Sequence, residues 1–250
     1  MLKKLKNNLK QTLVYGILII FFLIIIIFCF IKIVNWYLDN KKNNEIEDEI
    51  SKLIKIDETV EETENKYAVD FEKLKEKNPD TVAWLKINNT NVEYVVVRAN
   101  DNEYYLNHNF NKEYNIAGWI FSDYKNKFDG TDKNIVIYGH NMKNNSMFGS
   151  LQDTLKEDWY TNVENHKIIL VTETDTQVYQ VFSIYQIESE EYYIQTHFND
   201  EPSYDKFLNT LKNRSIENFD IELNSQDTIL TLSTCANNNY RLVLHAKRIY

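Results

Sequence analysis

The stretch TLSTCANNNYRLVLHAKR, running from Thr231 to Arg248, places a cysteine shortly before an arginine. The chain has only two cysteines, Cys29 and Cys235. Cys29 falls inside a long apolar run, so Cys235 has no disulfide partner in the rest of the chain. It is then either a small buried hydrophobe or a reactive thiol. Strand alternation separates the two readings. In 227–235, Leu230 and Leu232 share one face, while Thr231, Ser233 and Cys235 share the other. In 241–246, Leu242, Leu244 and Ala246 oppose Arg241, Val243 and His245. With the all-apolar sets turned to the core, Cys235 and Arg241 share the polar side. Residues 236–240 are few enough to join adjacent antiparallel strands. A guanidinium beside a thiol favours the thiolate, which is the attacking form.

Acyl transfer by a thiolate also needs a group to protonate the leaving amine, and histidine is the usual choice. His108, His166 and His197 sit in polar, loop-like stretches and read as solvated side chains. His140 follows the apolar run Asn134–Tyr138 in IYGHNMKNNSMFGSL, where a buried strand opens into a loop. His245 shares a face with Arg241. Sequence geometry admits either of these two. A zinc site is not expected, since no histidine pair has helical ligand spacing and no second cysteine accompanies Cys235. With five glycines and no glycine-rich loop, phosphate cradling is not expected either.

The elements that must position these residues begin with an anchor. Lys3, Lys4, Lys6 and Lys10 precede Gln11–Ile31, a stretch without formal charge. As a helix it would span about 31 Å, enough for a bilayer core. It is longer than a signal-peptide core, and no small-residue cleavage site follows it. Trp36 and Tyr37 fall where interfacial aromatics lie, and the lysines place the N-terminus in the cytoplasm. All 37 acidic residues follow Leu38, whereas five of the 28 basic ones precede it. That acidity argues against nucleic acid or anionic lipid as the main partner of the external part.

Asn43–Lys77 reads as helix, with Ile46, Ile50, Leu53 and Ile54 on one stripe and a second pattern at 69–74. It would be a stalk or, as the stripe favours, a cap. From Thr81 the pattern turns to β: Val82–Ile87, Val92–Arg98, Gly118–Phe121, Asn134–Tyr138, Lys167–Thr172, Gln177–Ile187, Asp227–Thr234 and Tyr240–Ile249. Helical patterns interrupt it at Ser146–Glu157 and Ser203–Asn213. Eight short strands with two inserted helices predict a mainly β fold, a closed or nearly closed barrel.

TLSTC with its following RLVLHAKR strand and the upstream YGHN resembles the sortase family. YGHNMKNNSMFGSL and the long helical N-terminal segment resemble class B sortases in particular, over roughly 79–250 and the anchor. The resemblance implies an eight-stranded barrel with N-terminal and inserted helices behind one transmembrane helix. It divides the chain into a cytoplasmic N-terminus (1–10), anchor and interface (11–38), helical stalk or cap (39–78) and an extracellular catalytic domain (79–250). By motif it makes Cys235 the nucleophile, His140 the acid and base, and Arg241 the oxyanion stabiliser, leaving His245 a structural role. It points to Asn102, Leu106, Thr196 and Ser233 as substrate contacts. The five residues 236–240 make a shorter loop than in some class B members, which bears on substrate contacts rather than on Arg241.

The implied reaction is cleavage of a Thr–Gly or Thr–Asn bond in the C-terminal sorting signal of a secreted protein. A Cys235 thioester then passes to an amine of peptidoglycan or its lipid-linked precursor, with no metal or organic cofactor required. Two rivals are kept: an anchored cysteine protease, which would release only free acid, and a non-enzymatic adhesion or scaffold domain, whose thiol would be unreactive.

Overall fold

The computed structural model describes residues 2–57, 66–235 and 240–250. The chain separates into two compact units, Met1–Asn44 and Glu45–Tyr250. Most of the first is helix α1, which runs from Leu2 to Ser51. It carries exposed apolar side chains without interruption from Ile17 to Phe28 and is long and apolar enough to cross a membrane.

In the second unit, β1 (Ile54–Ile56) and β2 (Tyr67–Val69) form a small antiparallel pair, followed by α2 (Phe71–Lys77). The helix expected over Asn43–Lys77 therefore stops at Ser51. The reason lies in its last apolar positions. Ile54 alternates with Ile56 as a strand while also fitting the i, i+4 stripe begun by Ile46 and Ile50, and a short run cannot distinguish the periods. Residues 58–65 of that expectation lie outside the described residues. Ile46, Ile50, Phe71 and Leu74 are all buried in the main core of this unit. Asp70 caps α2, accepting from Lys73 N at 3.1 Å, and the helix ends before Pro79.

The remaining strands are β3 (Thr81–Ile87), β4 (Glu93–Val97), β5 (Phe121–Ser122), β6 (Asn134–His140), β7 (Lys167–Thr172), β8 (Thr176–Glu188), β9 (Ile229–Cys235) and β10 (Tyr240–Arg248). They close into a barrel in the order β10-β8-β7-β3-β4-β5-β6-β9, with β4–β5 and β6–β9 parallel and the other described pairs antiparallel. The expected eight-stranded barrel is present. The third strand is shorter than expected, because Gly118 takes a positive φ of 58° and breaks the extended run before Phe121. The helix expected over Ser146–Glu157 is a 3₁₀ segment, Gly149–Leu155, followed by the short α3 (Glu157–Tyr160).

Between β8 and β9 the chain carries α4 (Glu201–Asn213). Asp200 and Ser203 form a capping box, and Pro202 occupies the first turn. Its buried stripe of Tyr204, Phe207, Leu208 and Leu211 packs with Phe182, Tyr185, Ile229 and Val243 in a second cluster. The larger core holds Leu230, Leu232, Leu242 and Leu244. The two faces deduced for β9 and β10 are thus real, and both are largely buried: the face bearing Thr231, Ser233 and His245 lies under this second cluster rather than in water.

Candidate active site

β9 lies between β6 and β10, and its register sets out a ladder on the polar face. Along β6–β9, Val136 pairs with Thr231, Tyr138 with Ser233, and His140 with Cys235. Along β9–β10, Thr231 pairs with His245 and Ser233 with Val243. One further step of that register brings Arg241 level with Cys235. Positions opposite one another in a ladder share a sheet face. Three adjacent strands thus end in one row, 140–235–241, at the same edge of the barrel. The described residues stop at 235 and resume at 240, so the loop expected over 236–240 falls outside them except for Tyr240.

A cleft of about 510 Å³ opens at this row. His140, Arg241, Ser233 and Thr234 form one part of its lining, and Asn102, Leu106, Phe121 and Tyr138 another. Ser189, Glu190, Glu191, Tyr193 and Ile194 complete the wall. The structure therefore gathers His140, Arg241, Asn102, Leu106 and Ser233 into one place. Thr196 does not line this cleft. The 3₁₀ turn Tyr192–Ile194 presents Tyr193 and Ile194 there, and Asn134 Nδ2 holds the Gln195 carbonyl at 2.9 Å just before Thr196.

The wall is built on buried polar contacts that the sequence reading missed. Asp123 is buried, and its Oδ2 accepts from Asn102 Nδ2 at 2.8 Å and from Tyr138 Oη at 2.9 Å. Asn102 Oδ1 in turn accepts from Tyr124 N at 3.0 Å. Both ends of the Asn102 amide are therefore engaged within the protein, which fixes its side chain at the cleft before any ligand arrives. Ser233 Oγ lies 3.1 Å from Tyr193 Oη, tying β9 to the opposite wall. The available signal was FSDY directly after an apolar run: a carboxylate there is buried only if partners surround it. On the same wall Glu190 pairs with Arg214, whose guanidinium stacks over Tyr192 at 5.2 Å.

The two histidines left open by the sequence occupy different environments. His140 is half-buried on the cleft, and its Nε2–H donates to the Leu106 carbonyl at 2.7 Å. Its own carbonyl accepts from Phe148 N at 3.0 Å and Met142 N at 3.1 Å, which anchors the strand end. Gly139 makes that packing possible, since a Cβ there would lie 2.4 Å from Ile120 Cδ1 and 2.7 Å from Phe148 Cγ. His245 is fully buried, with Nε2 at 2.9 Å from Tyr185 Oη and Nδ1 at 2.9 Å from Thr231 Oγ1. Burial, and secondarily the Arg214 charge, pushes its pKa down to about 3, so it stays neutral. It does not line the cleft.

A closed barrel that brings a histidine, a cysteine position and an arginine into one row beside a cleft is an arrangement suited to acyl transfer by a cysteine enzyme. The sortase domain model matches residues 85–249. Sortase B of Staphylococcus aureus is 34% identical, covering 92% of this chain and 94% of its own. Among solved structures, Clostridium perfringens sortase B is 39% identical with a TM-score of 0.68, over 72% of this chain and 100% of its own. Sortase B from B. anthracis reaches a TM-score of 0.74 at 31% identity, over 85% of this chain and 98% of its own. The chain belongs to the sortase family, in its class B. Its activity is that of a cysteine transpeptidase that ligates proteins bearing a sorting signal to cell-wall peptidoglycan.

Proposed function

We propose that Cys235 is the nucleophile, His140 the acid and base, and Arg241 the oxyanion donor, acting on a Thr–Gly or Thr–Asn bond of a sorting peptide held in the cleft. The observation that carries this reading is the row 140–235–241 across three adjacent strands at the cleft edge. The Cys235 thiolate attacks the threonine carbonyl carbon, and the charge that develops on its oxygen is met by Arg241 and backbone N–H groups. One such donor is typically worth about 3–4 kcal/mol. The tetrahedral centre collapses as protonated His140 gives its proton to the departing amine. This leaves a Cys235 thioester and a released fragment with a free amino terminus. A peptidoglycan amine, free or lipid-linked, then attacks the thioester. His140 takes the amine's proton and the thiolate is restored.

Asn102, Leu106 and Ser233 are the proposed contacts for the sorting peptide, with Ser189, Tyr193 and Ile194 supplying the wall opposite; Thr196 is kept only as an outer contact. Segment 11–38 is proposed as the anchor and 79–250 as the catalytic domain, with 39–78 between them. The lysines ahead of the apolar run favour a cytoplasmic N-terminus and an external C-terminus. The test is to supply the full chain with a sorting peptide, with and without an amine acceptor, and identify products by mass. A peptide–amine conjugate is expected; free acid alone at saturating amine would favour the protease reading.

A further inference from the structure

We propose that the main-chain carbonyl of Leu106 is the positioning partner of His140, fixing its ring as the Nε2–H tautomer so that Nδ1 exchanges the proton during acyl transfer. Gly118 is the residue that lets this carbonyl stand where it does. The inference rests on the reading of His140 as acid and base.

A carbonyl oxygen only accepts, so the 2.7 Å contact requires the hydrogen to be on Nε2. A neutral imidazole then has its lone pair on Nδ1 alone. When Nδ1 takes a proton the ring becomes imidazolium without turning, because the Nε2–H bond to Leu106 persists. In serine proteases a buried carboxylate holds the ring in this way. Among the described residues no carboxylate hydrogen-bonds His140, and the carbonyl occupies that place.

A carbonyl can orient a ring only if it is itself held. Leu106 closes the 3₁₀ turn Tyr104–Leu106, with its N–H donating to Glu103 O at 3.1 Å. The preceding carbonyl, of Tyr105, accepts from Trp119 N at 3.0 Å. The Tyr105 ring is buried, its hydroxyl donating to Asp80 Oδ2 at 2.7 Å and accepting from Asn78 Nδ2 at 2.9 Å. Gly118 passes against both carbonyls at a φ of 58°: a Cβ there would lie 2.3 Å from Tyr105 O and 2.8 Å from Leu106 O. Any side chain at 118 must displace the carbonyl that holds the ring. Leu106 thus faces two ways, with its side chain in the peptide cleft and its carbonyl on the proton-transfer residue.

The direct test is NMR of the full chain in detergent micelles with ¹⁵N-labelled histidine, the His140 signals being those lost in His140→Gln. At a pH high enough for the ring to be neutral, the expected result is a pyridine-type Nδ1 and an observable Nε2–H proton exchanging far more slowly than that of exposed His197. An Nδ1–H tautomer, or an Nε2 proton as labile as that of His197, would overturn the proposal. Gly118→Ala should lose the slow Nε2–H signal and lower kcat roughly 10-fold or more, while KM for the peptide changes by less than about 3-fold. A folded Gly118→Ala enzyme with near-normal kcat contradicts the inference. If that variant does not fold, the wild-type tautomer decides. Retained turnover in His140→Gln would instead sink the catalytic reading of His140, a separate failure from an inactive His140→Gln with the wrong wild-type tautomer.

Discussion

Two rungs of one ladder, four residues apart along β9, carry a histidine each and have opposite fates. At the upper rung His140 pairs with Cys235, keeps one ring nitrogen on Leu106 and faces the cleft. At the lower rung His245 pairs with Thr231 and has both ring nitrogens engaged beneath the α4 cluster. What distinguishes them is the cover: the chain between β8 and β9 lays α4 and the Tyr192–Ile194 turn across the lower rungs and stops short of the top one. A histidine with a single fixed nitrogen can exchange a proton at the other, whereas a fully buried one with both engaged serves the fold. The lower rung also steadies the upper. Thr231 Oγ1 donates to Asn134 Oδ1 at 2.7 Å, and Asn134 Nδ2 holds the Gln195 carbonyl at the foot of the cleft wall.

Substitutions that separate the rungs should rank accordingly. Cys235→Ala removes the nucleophile and should abolish cleavage and thioester formation in a folded protein. His140→Ala should lower kcat by about 10²–10⁴-fold, the usual worth of general acid–base catalysis, with thermal unfolding little changed. Arg241→Lys keeps a positive charge but loses the planar fork. It should cost on the order of 10²-fold in kcat while alkylation of Cys235 by a small reagent changes little. Near-normal kcat with lysine would reject the oxyanion role. His245→Gln should leave kcat within a few-fold and act on stability, since unsatisfied buried partners cost about 1–3 kcal/mol each.

The lower rung also makes a pH prediction. The folded pKa of His245 lies below the ordinary histidine value, so the unfolded chain takes up the proton first as pH falls. The stability contributed by neutral His245 is complete above about pH 6.5 and is lost as pH falls toward about 3. The slope is up to about 1.4 kcal/mol per pH unit. Denaturant titrations across that range should show a shallower acid limb in His245→Gln than in the wild type. Equal slopes would mean that another group drives acid unfolding.

Much of this arrangement was legible in residue order. Strand alternation at 227–235 and 241–246 assigned Cys235 and Arg241 to one face, because Leu230, Leu232, Leu242 and Leu244 mark the other. The choice between His140 and His245 was not legible from spacing. It depends on how far the chain between β8 and β9 covers that face, a tertiary fact with no local signature. The end of α1 at Ser51 was hidden for a different reason, since Ile54 continues the helical spacing from Ile50 and also alternates with Ile56 as a strand. For Asp123 the FSDY pattern marked only a carboxylate next to an apolar run; its role depends on Asn102 and Tyr138, which reach it from other parts of the chain. Thr196 was suggested by resemblance alone, and in the structure Tyr193 and Ile194, three and two residues earlier, line the cleft.

If the upper rung is where the acyl group is carried, that group can be trapped on it. The full chain would be mixed with a sorting peptide without amine acceptor, quenched in acid, digested and mapped by mass spectrometry. A hydroxylamine-labile acyl group is expected on the peptide containing Cys235, absent from Cys235→Ala and accumulating in no other segment. Turnover without such an adduct, or an adduct on Cys29 alone, would contradict it.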